Sequence, residues 1–177
     1  RSVQDTELHS VLVLKDGRIL IGDIKNSAIT EHALTGKLSR AIKTAKRPYQ
    51  MATIRDTHIA VSDIEKNLVS IIDLETTTEM IEIRVPMIRG ISYNEQTGGI
   101  LILKSDYEAT GAGKNFGKRR ARLGTGVIEQ YCPVTGDLVE VLAEGLYYPI
   151  AVCFTPDGML AVTDKKNVVL YDVTWHI

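Results

Sequence analysis

Apolar and polar residues alternate along this chain in short runs, and the runs come in sets of four separated by turns. One of them, "HIAVSD" (58–63), has counterparts in "RILIGD" (18–23), "GILILKSD" (99–106) and "MLAVTD" (159–164). Alternation with period two sends successive side chains to opposite faces of a strand, and no window keeps a convincing helical period. Each of these runs ends in a small or polar residue followed by an acid. Ahead of them come "SVLVLKDG" (10–17), "QMATIRDT" (50–57), "GISYNEQTGG" (90–99) and "IAVCFTPDG" (150–158). A third run follows in "SAITEHALTG" (27–36), "LVSIIDLETT" (68–77), "GVIEQYCPVTG" (126–136) and "VVLYDV" (168–173). A fourth, more polar run closes near a proline three times, in "AIKTAKRP" (41–48), "MIEIRVP" (80–86) and "LVEVLAEGLYYP" (138–149).

The spacing of the acids measures the repeat. Asp23 to Asp63 is 40 residues, Asp63 to Asp106 is 43, and Asp106 to Asp164 is 58. The long interval contains an insertion, "EATGAGKNFGKRRARLGTG" (108–126), between a second and a third strand. Four strands per forty-odd residues is the period of a β-propeller blade. The predicted fold is therefore all-β, a propeller of about four blades over 9–48, 49–87, 88–149 and 150–177. The pattern resembles the NHL and YVTN propeller families, in particular the propellers at the C-terminal end of tripartite-motif proteins. That resemblance covers nearly the whole chain. The WD dipeptide and Gly-His pair of WD40 blades are absent.

The last blade stops at "YDVTWHI" (171–177), inside or just after its third strand. Its fourth strand is expected from "SVQDTEL" (2–8), from a second chain, or from the rest of a six- or seven-bladed ring of which this is a fragment. The last of these is the favoured expectation. Trp175 is expected between the last blade and whatever closes the ring.

Antiparallel strands reverse direction, so turns alternate between two ends of the ring. The end holding second-to-third turns and blade-to-blade links collects Lys25, Lys46, Arg47, Lys66, Arg89, Lys165 and Lys166. To these the insertion adds Lys114, Lys118, Arg119, Arg120 and Arg122, against the acids Asp23, Asp63, Glu65, Asp106, Glu108 and Asp164. The opposite end carries Asp16, Asp56, Glu95, Asp137 and Asp157. A chain of formal net charge −1 is thus expected to split into a basic face and a more acidic one.

The insertion has five Lys or Arg and no acid between Glu108 and Glu129. Guanidinium groups suit bidentate contacts to phosphate or carboxylate, and Phe116 and Tyr107 offer stacking for an unpaired base. The candidate binding residues are Lys118, Arg119, Arg120 and Arg122, ringed by Arg47, Arg89, Tyr148 and Lys165. The expected partner is an acidic protein or single-stranded RNA. The loop is not a P-loop: three residues separate Gly113 from Gly117, and Arg119 stands where Ser or Thr would follow Lys118.

Other chemistry finds less support. The recurring Asp reads as a turn device, because a strand-end carboxylate accepts hydrogen bonds from turn amides. His9, His32, His58 and His176 have no partner at metal-ligand spacing, and no G-x-S-x-G elbow exists. Hence no metal, no cofactor and no catalysis are expected, with a propeller hydrolase or lactonase holding a channel metal, or a purely structural assembly domain, as the alternatives. Tyr49, Tyr147 and Tyr148 flank blade junctions and are expected to pack there with their hydroxyls outward.

Composition changes little. Hydrophobic residues at 44% and charged residues at 24% are ordinary globular values. Cys132 and Cys153 lie in apolar runs and are expected to be buried free thiols, which with the missing glycosylation sequon points to a cytoplasmic setting. No apolar run reaches about 18 residues, so no membrane helix is expected. The functional expectation is a non-catalytic recognition module. If the tripartite-motif resemblance extends to the whole protein, it implies the substrate-recognition part of a ubiquitin ligase.

Overall fold

The computed structural model describes residues 5–44, 47–105, 125–155, 157–164 and 166–172. Their strands form four antiparallel sheets, each of consecutive strands. The first sheet holds β1 (Leu8–Val13), β2 (Ile19–Asp23), β3 (Ala28–His32) and β4 (Leu38–Lys43). The second holds β5 (Gln50–Ile54), β6 (His58–Asp63), β7 (Leu68–Asp73) and β8 (Glu79–Arg84). The third holds β9 (Ile88–Asn94), β10 (Gly99–Ser105), β11 (Thr125–Tyr131) and β12 (Leu138–Tyr147). Three strands make the fourth: β13 (Ala151–Phe154), β14 (Leu160–Thr163) and β15 (Val168–Tyr171). Among the inner strands, β1 lies beside β5, β5 beside β9, and β9 beside β13, so the sheets fan about one axis. The fold is a four-bladed β-propeller.

Alternation decides which residues fill the joints between blades. Directly paired residues point to one face, so each blade has a front face toward the next blade and a rear face toward the preceding one. The front of blade 1, with Leu20, Ile29 and Ile42, packs on the rear of blade 2, with Met51, Ile59 and Val61. The front of blade 2, with Ala52, Ala60 and Ile71, packs on Ile91, Ile100 and Ile102 of blade 3. Leu101, Leu103 and Ile128 then meet Val152, Leu160 and Val162 of blade 4. The central strands β6, β7 and β10 of the two sandwiched blades are thus buried and largely hydrophobic on both sides.

Among the described residues, blades 1 and 4 each share a packed joint with one neighbour. Among the described residues β13 and β1 make no comparable contact. The possibility that residues 2–8 complete the last blade fails over their described part. Ile24 N donates to Glu7 O at 2.9 Å, and Leu8 pairs with Asp23, which holds this segment on blade 1. Residues 2–4 and Trp175 lie outside the described residues. The cysteines also differ from expectation. Cys153 is exposed because it points from β13 to the uncovered front of blade 4, and Cys132 is half-buried where β11 enters its turn.

Turns at the end holding first-to-second and third-to-fourth connections commonly use glycine in the left-handed region, as at Gly36 between β3 and β4 (φ 79°). The corresponding β7–β8 turn puts Thr77 there, at φ 58°. A β-branched residue is strained in that conformation. Thr77 is exposed, so little packing is at stake. Thr77→Gly is expected to stabilise the protein by about 1 kcal/mol, read as a rise in Tm of about 2–4 °C in a thermal melt.

Candidate functional site

At the end holding the second-to-third turns, the recurring Asp does structural work in blades 1, 2 and 4. Asp63 Oδ1 accepts from the amides of Glu65 (3.0 Å) and Lys66 (2.9 Å), while its Oδ2 accepts from Arg47 N (3.0 Å). Asp23 accepts from the amides of Asn26 (3.1 Å) and Glu7 (3.3 Å), and from the Asn26 side chain (2.7 Å). Asp164 accepts from the amides of Lys166 and Asn167, both at 2.6 Å. One carboxylate therefore closes the β2–β3-type turn and, in blades 1 and 2, also clamps the chain as it enters its blade. Asp106 lies outside the described residues.

These bonds carry a pH dependence. Burial pushes the Asp23 carboxyl up, but the Asn26 side chain and the amides of Asn26, Glu7 and Lys25 outweigh it and hold it below its ordinary value. Amides of Lys166 and Asn167 lower that of Asp164. A carboxyl depressed in the folded state stabilises the fold above its unfolded pKa, about 4, and that stability is lost as pH falls through the lower folded value. Urea midpoints are expected to drop below about pH 4. In Asp23→Asn the acid limb should be shallower, because one of the depressed carboxyls is gone.

Of the predicted binding residues, Arg47, Arg89 and Tyr148 lie among the described residues. Lys118, Arg119, Arg120, Arg122 and Lys165 lie outside the described residues, as do Lys46 and the aromatics Tyr107 and Phe116. Arg47 sits over a cavity of about 240 Å³ lined by Glu7, His9, Ile24, Tyr49, Asp63, Ile64 and Glu65. Its guanidinium bonds Glu65 and lies 3.8 Å from Glu7. Lys25 likewise pairs with Asp5. Arg47 is therefore committed within the chain, and Arg89 and Tyr148 do not line its cavity. Glu7 as its partner was not legible, since the contact joins residues 40 apart through the packing of two blades. Beside Arg47, Tyr49 stacks on His9 with ring centroids 3.7 Å apart.

Arg89 and Tyr148 belong to another part of this end. Arg89 is half-buried near the start of β9, and Tyr148, with φ 43°, meets Tyr147 edge-on at 4.6 Å. The described stems of the insertion, Ser105 and Thr125, are held by neighbours of these two residues in sequence. On the leaving side, Ser105 N donates to Met87 O at 3.0 Å; on the returning side, Thr125 pairs with Tyr147. Met87, Tyr147 and Ile150 are large, exposed and beside these stems.

The inner strands frame a second cavity of about 240 Å³, lined by residues of all four blades from Leu12 to Cys153. Glu95 is the acid among its lining residues, and it already pairs with Lys15, which also reaches Asp56. Among the described residues no three His, Cys, Asp or Glu side chains gather as a metal would require. No described helix is long and apolar enough to cross a membrane.

No protein-family model matches this sequence, and no curated protein matches it. Solved structures do match in shape. Hydrazine synthase of Kuenenia stuttgartiensis superposes with a TM-score of 0.71 at 17% identity, over 97% of this chain and 48% of that one. The WD40 propeller domain of Doa1 gives 0.67 at 12% identity, over 93% and 50%. The computationally designed Ika4 protein gives 0.64 at 12% identity, over 98% and 95%. This chain spans about half the length of the first two. What they share with it is the propeller fold.

Proposed function

We propose that this propeller is a non-catalytic recognition module whose basic insertion captures an acidic segment of a partner protein. What supports this is the anchoring of the insertion. Its stems at Ser105 and Thr125 are tied to Met87 and Tyr147, next to exposed Met87, Tyr147 and Ile150 and close in sequence to Arg89 and Tyr148. A cationic loop beside exposed aromatic and aliphatic side chains suits a peptide that carries both acids and apolar anchors. Lys118, Arg119, Arg120 and Arg122 supply the charge in this reading. Arg47 is left out of it, being occupied by Glu65 and Glu7. The strand pattern's resemblance to NHL propellers agrees with a substrate-selecting role attached to a ligase elsewhere.

Fluorescence anisotropy tests this with a labelled Glu- and Leu-rich peptide and a labelled single-stranded RNA pool, at about 50 and 200 mM salt. Peptide binding that is lost when Lys118, Arg119, Arg120 and Arg122 are changed to Ser supports the reading. RNA binding alone would move the assignment to nucleic acid. Binding of neither would overturn it.

A further inference from the structure

Both ends of the fan expose a sheet face built like the faces buried inside it. The rear of blade 1 presents Val11 and Val13, 67% and 60% exposed, beside half-exposed Ile19 and Ile21. Val11 pairs with Ile21 and Val13 with Ile19, so the four share one face. They stand where blade 2 has Met51, Thr53, Val61 and Ile59, a face buried against blade 1.

The front of blade 4 tells the same story from the other side. Cys153, Ala161 and Leu170 pair across β13, β14 and β15 and share its front face. They stand where blade 2 has Ala52, Ala60 and Ile71, whose small inner pair receives the isoleucines of blade 3. Yet Cys153 is exposed and Leu170 is 53% exposed. One end is thus a rear face lacking its front, and the other a front face lacking its rear.

We propose that a second copy of this chain supplies both, the front of blade 4 in each copy packing on the rear of blade 1 in the other to close an eight-bladed ring. The contact continues the joint that already holds blades 1 to 4 together, and this inference does not depend on the ligand of the basic end. A two-fold arrangement makes both joints identical, and the ring closes rather than growing into a fibre. The blade 1 face, four strands about 4.8 Å apart and five residues of about 3.3 Å, covers roughly 300 Å², and the blade 4 face, three strands of four residues, roughly 190 Å². Two of each come to roughly 1,000 Å², the threshold that a specific interface has to reach. Hydrazine synthase and the Doa1 domain, about twice the length of this chain, match it over nearly its whole extent with half of theirs.

Light scattering after gel filtration tests this on the 177-residue chain. At about 50 µM the mass should be that of two chains. Val13→Lys alone and Leu170→Glu alone should each give one chain, with unchanged circular dichroism because both positions are solvent-exposed already. Mixing the two variants should restore the double mass, since the mixed pair keeps one wild-type joint and sets Lys against Glu in the other. Cys153 supplies an independent readout: its reaction with a thiol reagent should be at least about tenfold slower in the wild type than in Val13→Lys. A wild-type chain that stays single, a double mass that survives either substitution, or a mixture that does not recover it would overturn the proposal.

Discussion

Gly126→Ala is expected to destabilise the protein by about 3 kcal/mol, near the top of the range for inserting atoms into a packed site. A Cβ at this position would lie 2.1 Å from Pro149 Cγ and 2.7 Å from Pro149 Cδ, with the Lys104 carbonyl oxygen 3.0 Å away. No real Cβ tolerates the first two distances. A proline ring cannot swing aside as a flexible side chain would, because it is closed onto the backbone of the link from blade 3 to blade 4. The chain must therefore move β11 away from β10 or push blade 4 outward. Either opens the joint built from Leu101, Leu103, Ile128, Val152, Leu160 and Val162. Urea titration followed by circular dichroism measures the loss. Adding Pro149→Ala should recover part of it, since the two changes share one clash and cannot be additive.

Lys104→Met is the second large effect, expected to cost about 3 kcal/mol. Lys104 and Glu129 face the joint between blades 2 and 3, with side chains 20% and 10% exposed. The ammonium bonds Glu129 Oε1, and Tyr131 Oη donates to Glu129 Oε2 at 2.6 Å. Burial and the neighbouring carboxylate together push the Tyr131 phenol well above its ordinary pKa, so it remains a donor. Removing the ammonium leaves a mostly buried carboxylate answered by one phenol. The double variant Lys104→Met, Glu129→Gln keeps an acceptor for Tyr131 and removes the charge, and it should regain most of the stability. A single variant as stable as wild type would show that water already compensates Glu129.

The all-β propeller fold and its four blades could be read from the sequence because alternation, turn residues and the repeating Asp agree with one another. The turn role of Asp23, Asp63 and Asp164 was legible for the same reason: a carboxylate two or three residues before turn amides needs no distant partner. Long-range pairing was not. Arg47 reads as a free cation in sequence, and only the packing of blade 1 on blade 2 brings Glu7 toward it. The exposure of Cys153 was missed on physical grounds as well. Its strand carries the pattern of a buried blade, and alternation alone cannot tell whether the neighbour that would bury it is present.

The uneven covering of the blades has a consequence for how the molecule opens. In a stack whose units touch only their neighbours, each unit's resistance to local unfolding grows with the number of faces it shares. Blades 2 and 3 are sandwiched, while blades 1 and 4 are held on one side. In the single-chain Val13→Lys variant, where no second copy covers the outer faces, the amides of β6, β7, β10 and β11 should then be the slowest to exchange with solvent, and those of β15 among the quickest. Protection would fall from the middle blades to both ends, and the chain would fray like a short zipper.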